Sequence, residues 1–219
     1  MYIVLLTGGL ASGKDTVSAI LAQQGATILD LDVIAKEEQV KEPVLSQLVE
    51  AFGADILDAS GALNRPVLAA RAFATKDSTQ RLNEICWPGV QRKVGEYISE
   101  AEAEAAPAAD LNADPQGQAP ASGASRFLVI QVPLLVEAFH LFERKDEVIS
   151  VVADANLRLE RAVARGMSRK DAKNRLARQA TDDERIAISD TVFVNNGSLE
   201  ELRSQVMAWH RQRTEGGLL

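Results

Sequence analysis

The residues best suited to chemistry lie near the amino terminus, where Gly8, Gly13 and Lys14 form the pattern G-x₄-G-K. An apolar run precedes this pattern and helical spacing follows it, which predicts a loop between a strand and a helix. Such glycines let several backbone N–H groups face one concavity, and the helix dipole and the lysine add positive charge. The pattern predicts a site for nucleotide phosphates, with a plain glycine-rich turn as the alternative.

The residue after the lysine departs from the usual pattern. Phosphate loops carry Ser or Thr there because the hydroxyl binds Mg²⁺, whereas this chain has Asp15 and supplies a hydroxyl only at Thr16. A carboxylate at position 15 would either bind Mg²⁺ directly or repel the nucleotide. We expect Mg²⁺ binding to survive with an altered metal dependence.

Two more acids follow the second predicted strand in the sequence Asp30-Leu31-Asp32. Ligands bind beyond the carboxyl ends of parallel strands, so we expect these acids at the edge that carries the phosphate loop. One carboxylate would orient or deprotonate an attacking hydroxyl while its neighbour holds Mg²⁺. If the strand continues through both, they have similar orientations and could share a ligand. For one of them, a helix cap is an equally good interpretation.

A third set is basic. Arg161 and Arg165 are four residues apart on one face of a predicted helix, and Arg169, Arg175 and Arg178 follow on the next. A solvated face with ion pairs is the ordinary explanation. Beside a phosphate site, arginines on a mobile helical lid would instead neutralise a transferring phosphoryl group and exclude water.

The elements that must position these groups alternate between strands and helices, which favours a three-layer α/β fold. The apolar runs lack polar alternation, as is typical of parallel strands covered on both faces. The predicted strands are Ile3–Leu6, Thr27–Leu29, Phe127–Val132, Val148–Val152 and Val192–Val194. A first helix follows the phosphate loop, and Gly25 is placed where this helix should end. The other predicted helices are Pro43–Phe52, Pro66–Ala74, Ser78–Ala105, Leu157–Arg165, Arg169–Arg178, Asp182–Ile188 and Leu199–Arg211.

Size and composition narrow the class of protein. The 219 residues, 46% of them hydrophobic, suffice for one core with a small lid but not for two full α/β domains. A net charge of −7 argues against a nucleic-acid partner. Cys86 is the single cysteine, which excludes an intramolecular disulfide and a cysteine metal cluster. No apolar stretch approaches the roughly 20 residues of a bilayer span, and the apolar start breaks at Thr7, so we expect a cytoplasmic protein.

Residues 101–125 stand apart in composition. They are rich in alanine and proline, lack aromatic residues and contain Leu111 as their only large aliphatic side chain. Burial of so little apolar surface cannot offset the entropy of ordering the segment. We expect a disordered surface insertion without chemistry of its own.

Together these motifs resemble the dephospho-CoA kinase family. The resemblance covers nearly the whole chain except residues 101–125. The paired acids with Ile-Ala after them, the Pro-Leu-Leu-Val-Glu sequence and the Asn-Asn-Gly sequence, in that order, are its most specific parts. The matching stretches are Leu6–Lys14, Asp30–Ala35, Phe52-Gly53, Gly61–Arg65, Pro133–Glu137, Arg161, Arg165, Arg175, Gln179, Asp190 and Asn195–Leu199.

The resemblance implies a single P-loop kinase domain over residues 1–219. It would have a five-stranded parallel core, an acceptor-binding helical region at about 40–100 and a lid at about 158–180. The implied reaction is phosphorylation of the ribose 3′-hydroxyl of dephospho-CoA by ATP and Mg²⁺, the last step of coenzyme A synthesis. No membrane or obligate protein partner is expected.

The same resemblance implies roles for individual residues. Asp32 would act as the base or orient the hydroxyl, and Lys14 and Arg165 would assist catalysis. Arg161 would approach the phosphates beside Arg165, and Asn196 would lie near the ATP base. The residues expected to bind ATP phosphates are Gly8, Gly9, Ala11, Ser12, Gly13, Lys14, Asp15 and Thr16. The residues expected to bind Mg²⁺ are Asp15, Thr16 and Asp30.

Two alternatives stay open. Another small-metabolite or nucleotide kinase could have the same fold, since fold does not fix the acceptor. A non-catalytic protein that senses CoA or ATP is also possible, because Asp15 departs from the catalytic pattern. Trp87 is a second departure, standing where the family usually has His before Pro88; it would either stack on the acceptor or pack into the helical core.

Overall fold

The structure is a computed structural model that describes residues 1–105, 127–133, 135–139 and 142–219. The chain predicted as one domain comprises two compact units. The first, the sheet unit, consists of Met1–Asp30 and Ala101–Leu219. The second, the helical unit, is Leu31–Glu100 and includes the predicted acceptor region.

A parallel sheet forms the centre of the sheet unit. Across the described ranges it has five strands in the order β2-β3-β1-β4-β5, which confirms the predicted fold class. The strands are β1 Tyr2–Gly8, β2 Thr27–Asp30, β3 Phe127–Gln131, β4 Glu147–Val152 and β5 Thr191–Val194. The central strand β1 is buried from Ile3 onward because helices cover both of its faces, which explains its continuous apolar sequence.

The helices agree with the predicted ones except for two short additions. The helices are α1 Lys14–Gln23, α2 Leu31–Glu38, α3 Val44–Phe52, α4 Arg65–Ala72, α5 Lys76–Ala105, α6 Leu135–Ala138, α7 Ala155–Ala164, α8 Arg169–Arg178, α9 Asp182–Ala187 and α10 Leu199–Glu215. Neither α2 nor α6 is among the helices predicted from the sequence, although a helix cap at Asp30 or Asp32 was the alternative for one of these acids. None of the described helices combines the length and apolar character that a bilayer span requires.

Local sequence signals explain where the helices begin and end. Gly25, with φ of 92°, follows the end of α1, as predicted. Capping boxes start two other helices: Thr181 with Glu184 at α9, and Ser198 with Glu201 at α10. In each box the hydroxyl and the glutamate satisfy backbone N–H groups that the first turn leaves unpaired.

The core of the sheet unit lies between the sheet and the packed pair α1 and α10. A separate small cluster joins α7 and α8 to the phosphate loop through Ala11, Leu159, Ala162 and Ala172. This second cluster positions the predicted lid helices against the loop. The main cluster consists of Val4, Leu6, Val17, Ile20, Leu21, Phe127, Val129, Ile149, Val151, Phe193, Leu202, Val206 and Trp209.

The helical unit has its own core. Apolar side chains of α3, α4 and α5, together with Ile56, form one buried cluster that includes Cys86. Glu38, at the end of α2, is buried and accepts hydrogen bonds from Lys41 and Arg92 at 2.7 and 3.0 Å. Pro88 lies inside α5, and Trp87 beside it is half-buried.

Two expectations change with these boundaries. Strand β2 ends at Asp30 and α2 begins at Leu31, so the strand does not continue through Asp32 and the two acids do not share a strand orientation. Helix α5 extends to Ala105, so the first five residues of the predicted insertion are helical. Residues 106–126 and Leu134 of the Pro-Leu-Leu-Val-Glu sequence lie outside the described residues.

Candidate active site

The loop between β1 and α1 closes tightly on itself. The Ser12 N–H donates to the Gly9 carbonyl at 3.0 Å, and the Val17 N–H donates to the Gly13 carbonyl at 3.1 Å. Ala11 and Gly13 adopt positive φ angles of 58° and 106°. A left-handed residue within such a turn brings successive N–H groups to one side, which is the geometry that binds phosphate oxygens.

Two positions of the loop require glycine, because other side chains lie too close to leave room for a Cβ atom. A Cβ atom on Gly9 would lie 2.0 Å from Arg158 Nη1, and one on Gly13 would lie 2.2 Å from Asn195 Nδ2. Both distances are far below van der Waals contact. The loop is therefore packed from behind by an arginine and an asparagine.

Lys14, the first residue of α1, is held at the carboxyl end of the sheet. Its Nζ donates to Oε1 of Gln131, the last residue of β3, and lies 3.1 Å from Asp15 Oδ1. The Lys14 side chain is 14% exposed, whereas that of Asp15 is 76% exposed. Gln131 is in register with Asp30 of β2, so Asp30 also lies at this edge. The structure thus brings three predicted residues, Lys14, Asp15 and Asp30, to one end of the sheet.

Arg161 and Arg165, which are predicted to approach the phosphates, lie beside the loop. They line a cavity of about 160 Å³, and Arg165 also lines a neighbouring cavity of about 300 Å³ with the loop residues Leu10 and Ala11. The smaller cavity is lined by Ala11, Gly13, Thr16, Arg161, Arg165, Asn195, Gly197, Leu199 and Leu202. Five residues predicted from sequence to bind the nucleotide therefore border one space.

Asn196, predicted near the ATP base, has a defined contact of its own. Its Oδ1 accepts from the Asp154 N–H at 2.8 Å, which joins the end of β5 to the start of α7. The residues that flank it, Asn195 and Gly197, line the smaller cavity.

Asp32 belongs to the helical unit. It lies in the first turn of α2 and is exposed. It follows the last residue of β2 by two positions in the chain. Its role as base stays a prediction.

Several polar residues at the loop were not predicted to be functional. Arg158 and Arg185 are both buried behind Gly9, and each lies within 3.3 Å of Asp182 Oδ1. Gln179 accepts from the Leu10 N–H at 2.8 Å and so anchors the loop to the end of α8. Gln131 and Asn195 complete the set. A usable signal was present for these last two, because each is a polar residue at the end of an apolar strand.

Asp15, Thr16 and Asp30 carry oxygen atoms of the type that binds Mg²⁺. The part of the chain that the structure describes contains no group of three or more His, Cys, Asp or Glu side chains placed to hold a metal. Asp15 and Asp30 offer carboxylates and Thr16 a hydroxyl, the hard oxygen ligands that Mg²⁺ prefers. Mg²⁺ commonly uses few protein ligands and takes the rest from phosphates and water.

The sheet order, the glycine loop between β1 and α1, and the arginine-bearing helix beside it define a P-loop kinase. The model of one family within this class, described as dephospho-CoA kinase, matches residues 2–111 and 116–201. The chain belongs to the dephospho-CoA kinase family, as the sequence motifs predicted.

Curated relatives agree with this assignment, and solved structures share the fold. The dephospho-CoA kinase of Corynebacterium efficiens is 39% identical over 94% of each chain. That of Geobacter metallireducens is 36% identical over 98% of each chain. The crystal structure of TT1252 from Thermus thermophilus superposes with a TM-score of 0.73 at 27% identity, covering 96% of this chain and 97% of the other. Shikimate kinase from Acinetobacter baumannii, at 11% identity and a TM-score of 0.52 over 100% of this chain and 96% of that one, shares the fold alone.

Proposed function

We propose that the protein transfers the γ-phosphoryl group of ATP to the ribose 3′-hydroxyl of dephospho-CoA and releases coenzyme A and ADP. The observation that carries this proposal is the cavity between the phosphate loop and the lid arginines, in a chain that belongs to this family over its length. Phosphoryl transfer needs positioning and positive charge more than covalent chemistry, and the site provides both.

The loop and Lys14 would bind the phosphates of ATP. Lys14 is mostly buried and donates to Gln131, so its side chain has little freedom left to lose when a phosphate binds. Arg165 borders both cavities and would follow the charge as it spreads over the transferring group.

Asp15, Thr16 and Asp30 would hold Mg²⁺. Bound there, the ion would neutralise negative charge on the phosphate oxygens. Asp15 is mostly exposed, and its pairing with Lys14 is consequently weak. A weak internal pair favours a metal-binding role for this carboxylate over a permanent block of the site.

Asp32 would orient or deprotonate the acceptor hydroxyl, and the helical unit, which includes residues 40–100, would bind dephospho-CoA. Two observations support this. Asp32 is exposed at the start of α2, and the unit has its own packed core on which a binding surface can be built. The lid would span about residues 158–180, a range that includes most of α7 and all of α8. A cytoplasmic location remains an expectation from composition.

A coupled assay of ADP formation tests the proposal. The purified protein is incubated with ATP, Mg²⁺ and one acceptor from a panel of dephospho-CoA, AMP, CMP, shikimate and pantothenate. We expect rapid ADP release with dephospho-CoA and at least about 10³-fold lower kcat/KM with the others, since a site built for hydrogen bonds rejects ligands that leave them unmade.

The two alternatives give different results in this assay. A preference for another acceptor would indicate a different kinase of the same fold. If ATP or CoA stabilises the protein but no acceptor leads to ADP release, the protein is a sensor. This alternative is tested because Asp15 departs from the catalytic pattern.

A further inference from the structure

Asn195 links the phosphate loop to the arginine-bearing helix. It follows the last residue of β5, and its own N–H donates to the Val152 carbonyl at the end of β4 at 2.8 Å. The side chain is 8% exposed. Sheet pairing and burial together fix the position of this side chain.

Both ends of the Asn195 amide are used. Its Nδ2 donates to the Ser12 carbonyl in the loop at 2.7 Å. Its Oδ1 lies 3.4 Å from Arg161 Nη2, and its backbone carbonyl accepts from Arg161 Nη1 at 3.0 Å. A carbonyl can only accept and a guanidinium can only donate, so a side-chain amide suits both neighbours at once.

The contact with Ser12 sets the orientation of the Ser12–Gly13 peptide of the phosphate loop. In a planar trans peptide, the C=O and the N–H point in opposite directions. Holding the Ser12 carbonyl toward Asn195 therefore turns the Gly13 N–H away from Asn195. Gly13 makes this approach possible, since a Cβ atom there would lie 2.2 Å from Asn195 Nδ2.

We propose that Asn195 is a positioning residue that sets the Ser12–Gly13 peptide and the Arg161 guanidinium together for binding the phosphates of ATP. The inference rests on the proposed function in taking ATP as the nucleotide. It gives a role to Asn195, which belongs to the Asn-Asn-Gly sequence but had no role assigned from the sequence, and this role acts through the loop and Arg161.

Asn195→Asp tests this role. The variant keeps an oxygen toward Arg161 but places a carboxylate against the Ser12 carbonyl, which repels it. We expect the KM for ATP and the Kd for ADP, measured by calorimetry, to rise at least about tenfold, while the KM for dephospho-CoA changes less than about twofold. Asn156→Asp makes the same charge change at an exposed position in α7 and should alter neither value.

Two further measurements keep the test decisive. If Asn195→Asp does not fold, Asn195→Ala gives the same comparison without a new charge. In an Arg161→Ala background, the effect of Asn195→Ala should be smaller than in the wild type, because the two residues act partly as one unit.

Equal increases in both KM values, or an unchanged Kd for ADP in a folded variant, would overturn the inference. Failure of the wild type to phosphorylate dephospho-CoA would instead contradict the proposed function, and the ADP titration would still test Asn195.

Discussion

Lys14 and Asp15 show how a departure from a motif can be tolerated. The two charges pair at 3.1 Å, but Asp15 is 76% exposed, and pairs of that kind are typically worth only about 0–1 kcal/mol. Incoming phosphate can displace so weak a partner. The carboxylate then lies beside the phosphates, where a divalent ion is needed.

The metal dependence of activity tests this role of Asp15. In Asp15→Ser a neutral hydroxyl replaces the carboxylate, and we expect the Mg²⁺ concentration for half-maximal activity to rise at least about threefold, with a changed ratio of Mg²⁺ to Mn²⁺ activity. Asp183→Ser, at an exposed position in α9, is the matched control. Unchanged Mg²⁺ and Mn²⁺ titrations would show that Asp15 is not a ligand.

Asp32 is the second residue whose role kinetics can settle. Asp32→Asn removes the proton acceptor but keeps the side-chain size, so kcat should fall by about 10²–10⁴, equivalent to roughly 3–5 kcal/mol of barrier. The KM for ATP should change little. Glu37→Gln, exposed on the same helix, should retain activity. Near-normal turnover by Asp32→Asn would remove Asp32 from the base role.

At the scale of elements, one buried carboxylate ties β1, β4, β5 and α10 together. Glu147 of β4 is 3% exposed and accepts from Tyr2 at 2.8 Å, Thr191 at 2.5 Å, Trp209 at 2.8 Å and Arg213 at 2.7 Å. Burial raises the pKa of Glu147, but the hydrogen bonds from Arg213 and the other donors outweigh it and hold the pKa below its ordinary value. Burial, with Glu147 beside it, raises the pKa of Tyr2 to about 12.

These shifts give a pH-dependent stability. Because the pKa of Glu147 is lower in the folded state, its contribution is present above the unfolded pKa of about 4.3 and is lost as pH falls through the folded value. Glu147→Gln should therefore lower the free energy of unfolding by about 1.5–3 kcal/mol at pH 7, the worth of hydrogen bonds to a charged group.

Denaturant unfolding at several pH values measures this loss. The difference between wild type and Glu147→Gln should shrink below about pH 4.3. Glu160→Gln breaks the exposed pair with Arg169 and should cost less than about 1 kcal/mol. A difference that does not vary with pH would mean that the carboxylate charge is unimportant.

Sequence predicted the elements well where a single strong signal existed. Continuous apolar runs predicted the five strands that the structure describes, and the G-x₄-G-K spacing predicted the loop between β1 and α1. Helix α2 escaped prediction because Asp30, the last residue of β2, and Asp32, in the first turn of α2, suit a strand end as well as a helix start. The contact of Asn195 with Ser12 joins residues 183 positions apart, which come together through the pairing of β5 with β4 and of β4 with β1.

At the scale of the whole molecule, the two compact units suggest that the sheet unit binds the nucleotide and the helical unit binds the acceptor. Hydrogen exchange followed by mass spectrometry tests it. ADP should protect peptides of the phosphate loop and of α7 and α8, whereas dephospho-CoA should protect peptides within Leu31–Glu100, since ligands stabilise the segments that bind them. Protection of the sheet unit alone by dephospho-CoA would place the acceptor elsewhere.

Cys86 allows the opening of the helical unit to be followed by chemical labelling. It is 6% exposed within the cluster of α3, α4 and α5, and burial raises the pKa of its thiol. Alkylating reagents attack the thiolate, so the native protein should resist them. Because the chain has a single cysteine, every covalent adduct records one event, the transient opening of that cluster. The rate at which Cys86 is labelled therefore measures the rate or extent of local unfolding of this cluster, and no engineered probe is needed.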